Sequence, residues 1–128
     1  MPAFYIAHRT MPGSVAPEFV DLQFDPERLR LTCSAQAGAW HYFRLADGTV
    51  KPLPPHPPPL VFEPGDTYIA LSPSARRVTD SPTVARFLHL HDVFNAEKLA
   101  ASLLAHLVEN AGGMPFPEDV TVIVVEAR

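Results

Sequence analysis

A run of prolines near the middle of the chain constrains the fold more than any other sequence feature. Six of the eight residues from 52 to 59 are proline, in the sequence PLPPHPPP. Proline fixes φ and lacks a backbone N–H, so it is excluded from helix interiors and central strands. The run therefore predicts an extended polyproline II connector without ladder hydrogen bonds of its own, and it divides the chain into two halves.

The half before this connector is predicted to consist of short antiparallel strands. Alternating apolar residues bounded by turn signals predict strands over residues 18–24, 28–35 and 39–45. Asp47-Gly48 is a strong hairpin signal that leads into a further short strand over residues 49–51. These strands follow one another closely, so the sequence predicts an antiparallel meander.

The half after the connector begins with a strand and then changes to helical periodicity. A turn over residues 63–66 precedes a predicted strand over residues 67–71. Ser81, followed by Pro82, predicts the N-cap of a helix over residues 82–94. Asn95 is expected to cap a second helix over residues 96–110, and a β-branched run predicts a last strand over residues 120–125.

These elements predict one α+β domain, residues 1–128, with a mostly antiparallel β-sheet and two helices in its C-terminal half. Residues 1–17 form an N-terminal segment before the main region of residues 18–128. A single cysteine, Cys33, rules out an internal disulfide, so a reducing cytoplasm is the expected compartment. Because Cys33 lies in the middle of a predicted strand, we interpret it as a small buried core residue.

Charge and hydropathy limit the kinds of partner. No apolar run approaches the roughly 18 residues of a membrane helix, so no membrane association is expected. Ten basic against 14 acidic residues give a net charge of −4 without a Lys/Arg stripe, which disfavours nucleic acid. Charged residues make up 19% of the chain, below the roughly 25% of typical domains, and this favours a partner over some apolar surface.

Four segments of the chain follow one another in a characteristic order: ADGTVKPL (46–53), EPGDTYIALS (63–72), HLVENAGG (106–113) and PEDVTVIVVEAR (117–128). Their order resembles the C-terminal half of the PPM-type metal-dependent serine/threonine phosphatases. The closer likeness is to the bacterial branch typified by stage II sporulation protein E, in which a strand that ends in Thr-Asp-Gly follows a Pro-Gly-Asp turn. The resemblance covers residues 18–128 and implies a reduced phosphatase-like sandwich.

The resemblance also implies which residues correspond to metal ligands. That family holds two Mn or Mg ions with several aspartates, and the bridging water attacks phosphorus. The Asp-Gly after the Pro-Gly-Asp strand falls on Pro73-Ser74, so Pro73 marks a lost ligand position. The last ligand position falls on Glu118, followed by Asp119, and these two are the candidate residual metal position. Only about twenty residues precede the matching part, so the N-terminal ligands are expected to be missing.

Other residues offer candidate binding groups. Trp40 and Tyr42 share a predicted strand and could line a ligand cleft or pack in the core. Arg76 and Arg77 could bind a phosphate group or lie solvated on the surface. His89 and His91 could ligate zinc or iron if they lay on a strand, but on a helix they point apart.

A reduced sandwich would expose a sheet face or an unpaired edge. Either the N-terminal residues 4–7 fold back as an extra strand, or a second copy covers the surface in a two-fold dimer. We expect a homodimer.

The leading hypothesis is a non-catalytic, phosphatase-derived regulatory or protein-binding module in bacterial signalling, a pseudophosphatase without cofactor. Its expected partner is a phosphoprotein or a regulator of the anti-sigma-factor type. The alternative is a metal-dependent phosphatase or other hydrolase, completed by an oligomer partner or by histidines, and only this alternative requires Mn or Mg. A third possibility is a structural subunit joined to a neighbour through the proline run, which could dock into an aromatic groove.

Overall fold

The computed structural model of the chain describes residues 3–10, 19–91, 95–112 and 120–128. Within these ranges the chain forms strands, one 3-10 helix over Pro73–Arg77, and two α-helices. The helices are α1 (Ser81–Leu90) and α2 (Ala96–Asn110). The strands are β1 (Phe4–Thr10), β2 (Val20–Asp25), β3 (Arg30–Ala35), β4 (Trp40–Arg44), β5 (Val50–Pro52), β6 (Leu60–Val61), β7 (Thr67–Leu71) and β8 (Thr121–Ala127).

The strands form two antiparallel sheets. The larger sheet has the order β1-β8-β7-β4-β5, and the smaller one has the order β2-β3-β6. The α+β fold class is therefore confirmed. The N-terminal residues also form a strand, β1, which pairs with β8 at the edge of the larger sheet.

The predicted meander is wrong, because the chain changes sheets between β3 and β4. Cys33 on β3 and Phe43 on β4 are buried in the same core between the two sheets. The two strands belong to different sheets, so these side chains meet across the sandwich. Gly38, with a φ of +91°, lies in the turn that makes this change of sheet.

Two cores lie on the two faces of the larger sheet. Strand β7 contributes to both, since Tyr68 and Ala70 face the smaller sheet whereas Ile69 and Leu71 face the helices. The helix α2 packs on β1 and β8 through the buried residues Leu99, Ala100, Leu103 and Leu107. The helix α1 packs on β4 and β5, so the two helices cover opposite halves of the sheet.

The N-cap residues of the two helices agree with the sequence prediction for α2 and differ by one residue for α1. Asn95 caps α2 as predicted, because its side chain accepts a hydrogen bond from the Lys98 N–H at 2.8 Å. The N-cap of α1 is Asp80 rather than Ser81, and its carboxylate accepts from the Thr83 N–H at 2.8 Å. The Ser81 hydroxyl lies 2.8 Å from the Tyr42 hydroxyl. The predicted end of α1 is wrong, because the helix ends at Leu90 and His91 has an extended backbone; residues 92–94 lie outside the described residues.

The proline connector is hydrogen-bonded to the sandwich more than the sequence predicts. Pro52 is the last residue of β5, and the Leu53 N–H continues the ladder by donating to the His41 carbonyl at 2.9 Å. The Pro55 carbonyl accepts from the Ala35 N–H at 2.8 Å. Proline lacks a donor but keeps its carbonyl acceptor, and this acceptor fixes the run against the sheets.

A series of buried hydrogen bonds also links the proline connector to the core. The Nε2 of His41 lies 2.5 Å from the Pro54 carbonyl, so Nε2 is the donor and Nδ1 accepts from the Tyr68 hydroxyl at 2.9 Å. The Tyr68 hydroxyl is also hydrogen-bonded to the Cys33 thiol. Burial raises the pKa of this thiol to about 11. Cys33 is thus the buried core residue that the sequence predicted. Burial also lowers the pKa of His41, because desolvation disfavours the imidazolium.

The lowered pKa of His41 predicts a pH-dependent free energy of unfolding. The unfolded chain takes up a proton near pH 6.5 before the folded chain does, so stability is full above that pH. It falls as pH drops from 6.5 through the lower pKa of the folded state. Urea unfolding between pH 5 and 8 measures this slope. We expect His41→Gln to flatten it, whereas His8→Gln, at an exposed position, should retain it; equal slopes in all three proteins would contradict the assignment.

Candidate functional site

The candidate site lies where β7 ends and β8 begins. Leu71 pairs with Val122, and the Ser72 N–H donates to the Thr121 carbonyl at 3.0 Å. The residues that follow β7 therefore lie beside the first residues of β8. Glu118 and Asp119 precede β8 in sequence but lie outside the described residues.

Four hydroxyl side chains meet at this end of the sheet and form what we call the hydroxyl cluster: Thr10, Ser72, Ser74 and Thr121. The Ser72 and Ser74 hydroxyls lie 3.0 Å apart, and Ser72 Oγ accepts from the Thr121 N–H at 2.9 Å. Thr121 Oγ1 lies 3.1 Å from Thr10 Oγ1. Ser72, Ser74 and Thr121 are buried, and the hydrogen bonds described among these hydroxyl residues join uncharged groups at the end of the two strands.

Pro73 opens the 3-10 helix between the two serines. Its ring faces Gly38 across a gap with room for one more carbon, because a Cβ added at Gly38 would stand 3.6 Å from the Pro73 Cβ. Pro73 is in the first helical position, where its fixed φ is favourable and the missing N–H costs little. The side chain at this position therefore contributes packing and no ligand atom.

Trp40 and Arg76 form a rim beside this end of the sheet, which we call the Trp40 rim. The Arg76 guanidinium lies over the Trp40 ring at 5.5 Å from the centroid, a cation–π contact. Arg77 follows in the same 3-10 helix, and both arginines are exposed. The structure thus brings three of the four candidate binding residues to one region.

Tyr42, the fourth candidate, lies in the core beneath the helices. It is fully buried, and its hydroxyl bonds to Ser81. Burial is the main cause that raises the pKa of its phenol. In this conformation Tyr42 presents no surface to a ligand.

The histidines near the end of α1 make separate contacts. His89 Nδ1 lies 2.8 Å from the Gly48 carbonyl in the β4–β5 turn. The ring of His91 packs edge-on against Phe87 at 5.3 Å. Over residues 3–10, 19–91, 95–112 and 120–128, no three His, Cys, Asp or Glu side chains converge on a possible metal position.

Among the described residues, those at the site do not fit a two-metal centre of the kind that the resemblance implies. Mn and Mg prefer several charged carboxylates, which also balance the charge of the ions. The described residues of this region supply neutral hydroxyls and the ring of Pro73 instead.

Comparison with solved structures identifies a PPM-like phosphatase fold. The SiaA-PP2C domain of Pseudomonas aeruginosa is 19% identical with a TM-score of 0.63, over 77% of this chain and 47% of that domain. The phosphatase domain of the cell fate determinant SpoIIE from Bacillus subtilis is 13% identical with a TM-score of 0.71, over 84% and 56%. The catalytic domain of the serine/threonine phosphatase PstP, in complex with two manganese ions, is 12% identical with a TM-score of 0.59, over 99% of each chain.

These likenesses establish the fold that the motifs predicted. No family model matches the chain, and no curated protein does. The chain spans about half the length of the SiaA and SpoIIE domains. No helix within the described residues is long and apolar enough to cross a membrane.

Sequence reasoning missed the hydroxyl cluster. The proximity of Ser72 and Ser74 to Pro73 is evident from the sequence. Thr10, by contrast, meets Thr121 only because β1 pairs with β8 in one register. Two threonines 111 residues apart give no local signal. The only available hint was the possible folding back of the N-terminal residues as a strand.

The hydroxyl cluster predicts a specific loss of stability. Ser72→Ala removes the acceptor of the buried Thr121 N–H, which should lower the free energy of unfolding by about 1–3 kcal/mol. Ser102→Ala, within α2 where alanine is the better helix former, is the control and should change little. Urea denaturation of both variants measures the difference. A Ser72→Ala protein as stable as wild type would contradict the role given to Ser72.

Proposed function

We propose that the chain is a non-catalytic, phosphatase-derived regulatory or protein-binding module in bacterial signalling. The observation that carries this proposal is the chemistry at the end of β7. Pro73 stands where the resembled family keeps a metal-binding aspartate, and the buried polar side chains described beside it are the hydroxyls of Ser72 and Ser74. The fold resembles that of a phosphatase, but position 73 provides no negatively charged ligand for a metal ion.

The lost charge matters because phosphate-ester hydrolysis of this type depends on the metals. Two ions lower the pKa of a bridging water and stabilise the charge that develops on the phosphoryl oxygens. A serine or threonine hydroxyl is a neutral and weaker ligand for a hard divalent cation than a carboxylate. The described residues at this end of the sheet therefore favour a protein that binds without hydrolysing.

The Trp40 rim is the proposed binding surface. A guanidinium matches the oxygens of a phosphate group and forms short, charge-assisted hydrogen bonds. The cation–π contact with Trp40 restrains the guanidinium of Arg76, which reduces the entropy lost on binding. A phosphoprotein, or a regulator of the anti-sigma-factor type, is the class of partner that this chemistry suits.

Binding to the rim can be measured through Trp40, the only tryptophan in the chain. Titration with a phosphoserine peptide should change its fluorescence. We expect Arg76→Ala to weaken binding about tenfold or more, because a charge-assisted hydrogen bond contributes roughly 1.5–3 kcal/mol. Arg86→Ala, an exposed arginine on α1, is the matched control and should bind as wild type does. Equal affinity of both variants, or no binding by wild type, would contradict a phosphate-binding rim.

The alternative function is a metal-dependent hydrolase whose site is completed by an oligomer partner or by histidines. The fold shared with manganese-containing PstP is the observation in its favour. Metal analysis of the purified protein bears on it directly, since stoichiometric manganese, zinc or iron would favour an enzyme.

An activity assay separates the two functions. The chain is incubated with manganese or magnesium and with an aryl phosphate or a phosphoserine peptide, beside an active PPM phosphatase. We expect no turnover above buffer, because the position of Pro73 offers no carboxylate to a metal. Turnover that Glu118→Ala abolishes and Glu109→Ala retains would overturn the non-catalytic proposal. Glu109 is an exposed glutamate in α2 and controls for the loss of one carboxylate.

A further inference from the structure

Strand β1 has a row of backbone hydrogen-bonding groups that point away from β8, its one partner strand among the described residues. Ala3 and Arg128 exchange both of their backbone hydrogen bonds at 3.0 Å, so Tyr5, Ala7 and Arg9 are the β1 residues that bond β8 in turn. The N–H and C=O groups of the alternate residues point away from β8: Phe4, Ile6, His8 and Thr10. Because β1 ends the larger sheet within the described residues, these groups form its open edge.

The other strand edges that the structure describes carry features that discourage pairing, whereas the one charged residue of β1 is neutralised by a partner. Strand β5 is short and ends in Pro52, and the two-residue β6 follows three prolines. Strand β2 carries Asp21 and Asp25. Prolines, charges and short lengths are the usual means by which proteins block edges. The seven residues of β1 contain no proline or carboxylate, and Arg9 is paired with Glu97 of α2.

Apolar side chains flank this open edge on both faces of the sheet. On the face toward the smaller sheet, Ile6 is 56% exposed. On the helix face, Ala101, Leu104 and Val108 lie on the flank of α2 that carries Glu97, the partner of Arg9. Their spacing of three and four residues makes one stripe, and Val108 is 41% exposed. The α1-facing flank of α2 is a different one, where His106 stacks on Phe87.

Two-fold pairing of this edge with itself would bring the two apolar stripes together. Paired strands lie about 4.8 Å apart, and α2 packs on both β8 and β1. The two α2 helices of such a pair would be about two strand spacings, or roughly 9.6 Å, apart, within the 8–10 Å typical of packed helices. Two steps of sheet twist would rotate them by about 40–50°, close to the commonest helix crossing angle.

We propose that β1 is a homodimer interface, in which β1 pairs antiparallel with β1 of a second copy and the α2 helices pack across the two-fold axis. The occupant is a second copy because both parts of the surface are complementary to themselves. The outward backbone groups of one β1 match those of another, and the stripe of Ala101, Leu104 and Val108 carries no charge that would oppose its copy. The interface is separate from the Trp40 rim, so the dimer does not depend on the proposed function.

The oligomeric state tests this proposal. Sedimentation equilibrium from about 1 to 100 µM should give twice the 14.1 kDa mass of one chain at the upper concentrations. Val108→Asp should raise the dissociation constant at least tenfold, because it places two carboxylates against the apolar stripe. Leu90→Asp is the matched control, since Leu90 is 68% exposed at the end of α1 and should leave the dimer unchanged.

A second variant probes the strand pairing itself. Ile6→Pro removes an N–H that points to the open edge and leaves the bonds of Tyr5 and Ala7 to β8 intact, so it should fold and dissociate. Ile6→Thr keeps the donor and should remain more dimeric than Ile6→Pro. Circular dichroism establishes that each variant is folded.

Amide exchange gives a residue-level readout on the unaltered protein. The N–H groups of Tyr5, Ala7 and Arg9 should be protected at every concentration, because they bond β8. Those of Ile6 and His8 should become protected only as the dimer forms. A monomeric wild type up to 100 µM, or a dimer that both Val108→Asp and Ile6→Pro leave intact, would overturn the proposal. In the first case a strand of another protein would become the expected occupant of the edge.

Discussion

The double-sided burial of β7 is the constraint on which the rest of the structure depends. All five of its residues are buried, and both of its neighbours, β4 and β8, pair with it along its length. Tyr68 reaches into the core between the sheets, and Ile69 reaches into the core under the helices. Strand β7 is hydrogen-bonded along both edges and packed on both faces, so the groups at its two ends are held in place as well. The Asp66 carboxylate accepts from two turn N–H groups at 2.9 Å at one end, and the hydroxyl cluster closes the other.

Elements with strong local signals were predicted closely, and those that depend on distant pairing were not. The bounds of β7 and α2 agree with the sequence, because an apolar strand after a Pro-Gly-Asp turn and an Asn-capped amphipathic stripe are local patterns. The cap of α1 was displaced by one residue because Asp80 and Ser81 are both good caps, and Ser81 lies against the hydroxyl of Tyr42. Which strands share a sheet is decided by burial across the sandwich, so the sequence could not separate a meander from two layers.

The candidate site likewise has residues that the sequence predicted and residues that only distant pairing brings together. The motif resemblance singled out Pro73, which lies two residues after the end of β7, and the Trp40 rim came from residues named as candidates on the sequence. Tyr42 was a candidate on the same strand as Trp40, but its neighbours across the sheet and beneath α1 bury it fully. The hydroxyl cluster joins three separate parts of the chain, and no local pattern predicts which hydroxyls will meet.

The backbone conformation at position 73 suits proline but does not require it, so the main effect of Pro73 is on the chemistry of the position. It occupies the first position of a 3-10 helix, where proline is favourable, but a carboxylate near a helix N-terminus is favourable too. The ring leaves room for a side chain at Gly38, since an added Cβ there would stand 3.6 Å from the Pro73 Cβ, so this turn does not require a proline at position 73. An aspartate would therefore fit the local structure about as well, and would add the negative charge that a metal ligand needs. The fold accepts either residue at the end of β7, which makes the absence of a carboxylate there a difference in chemistry and not a requirement of packing.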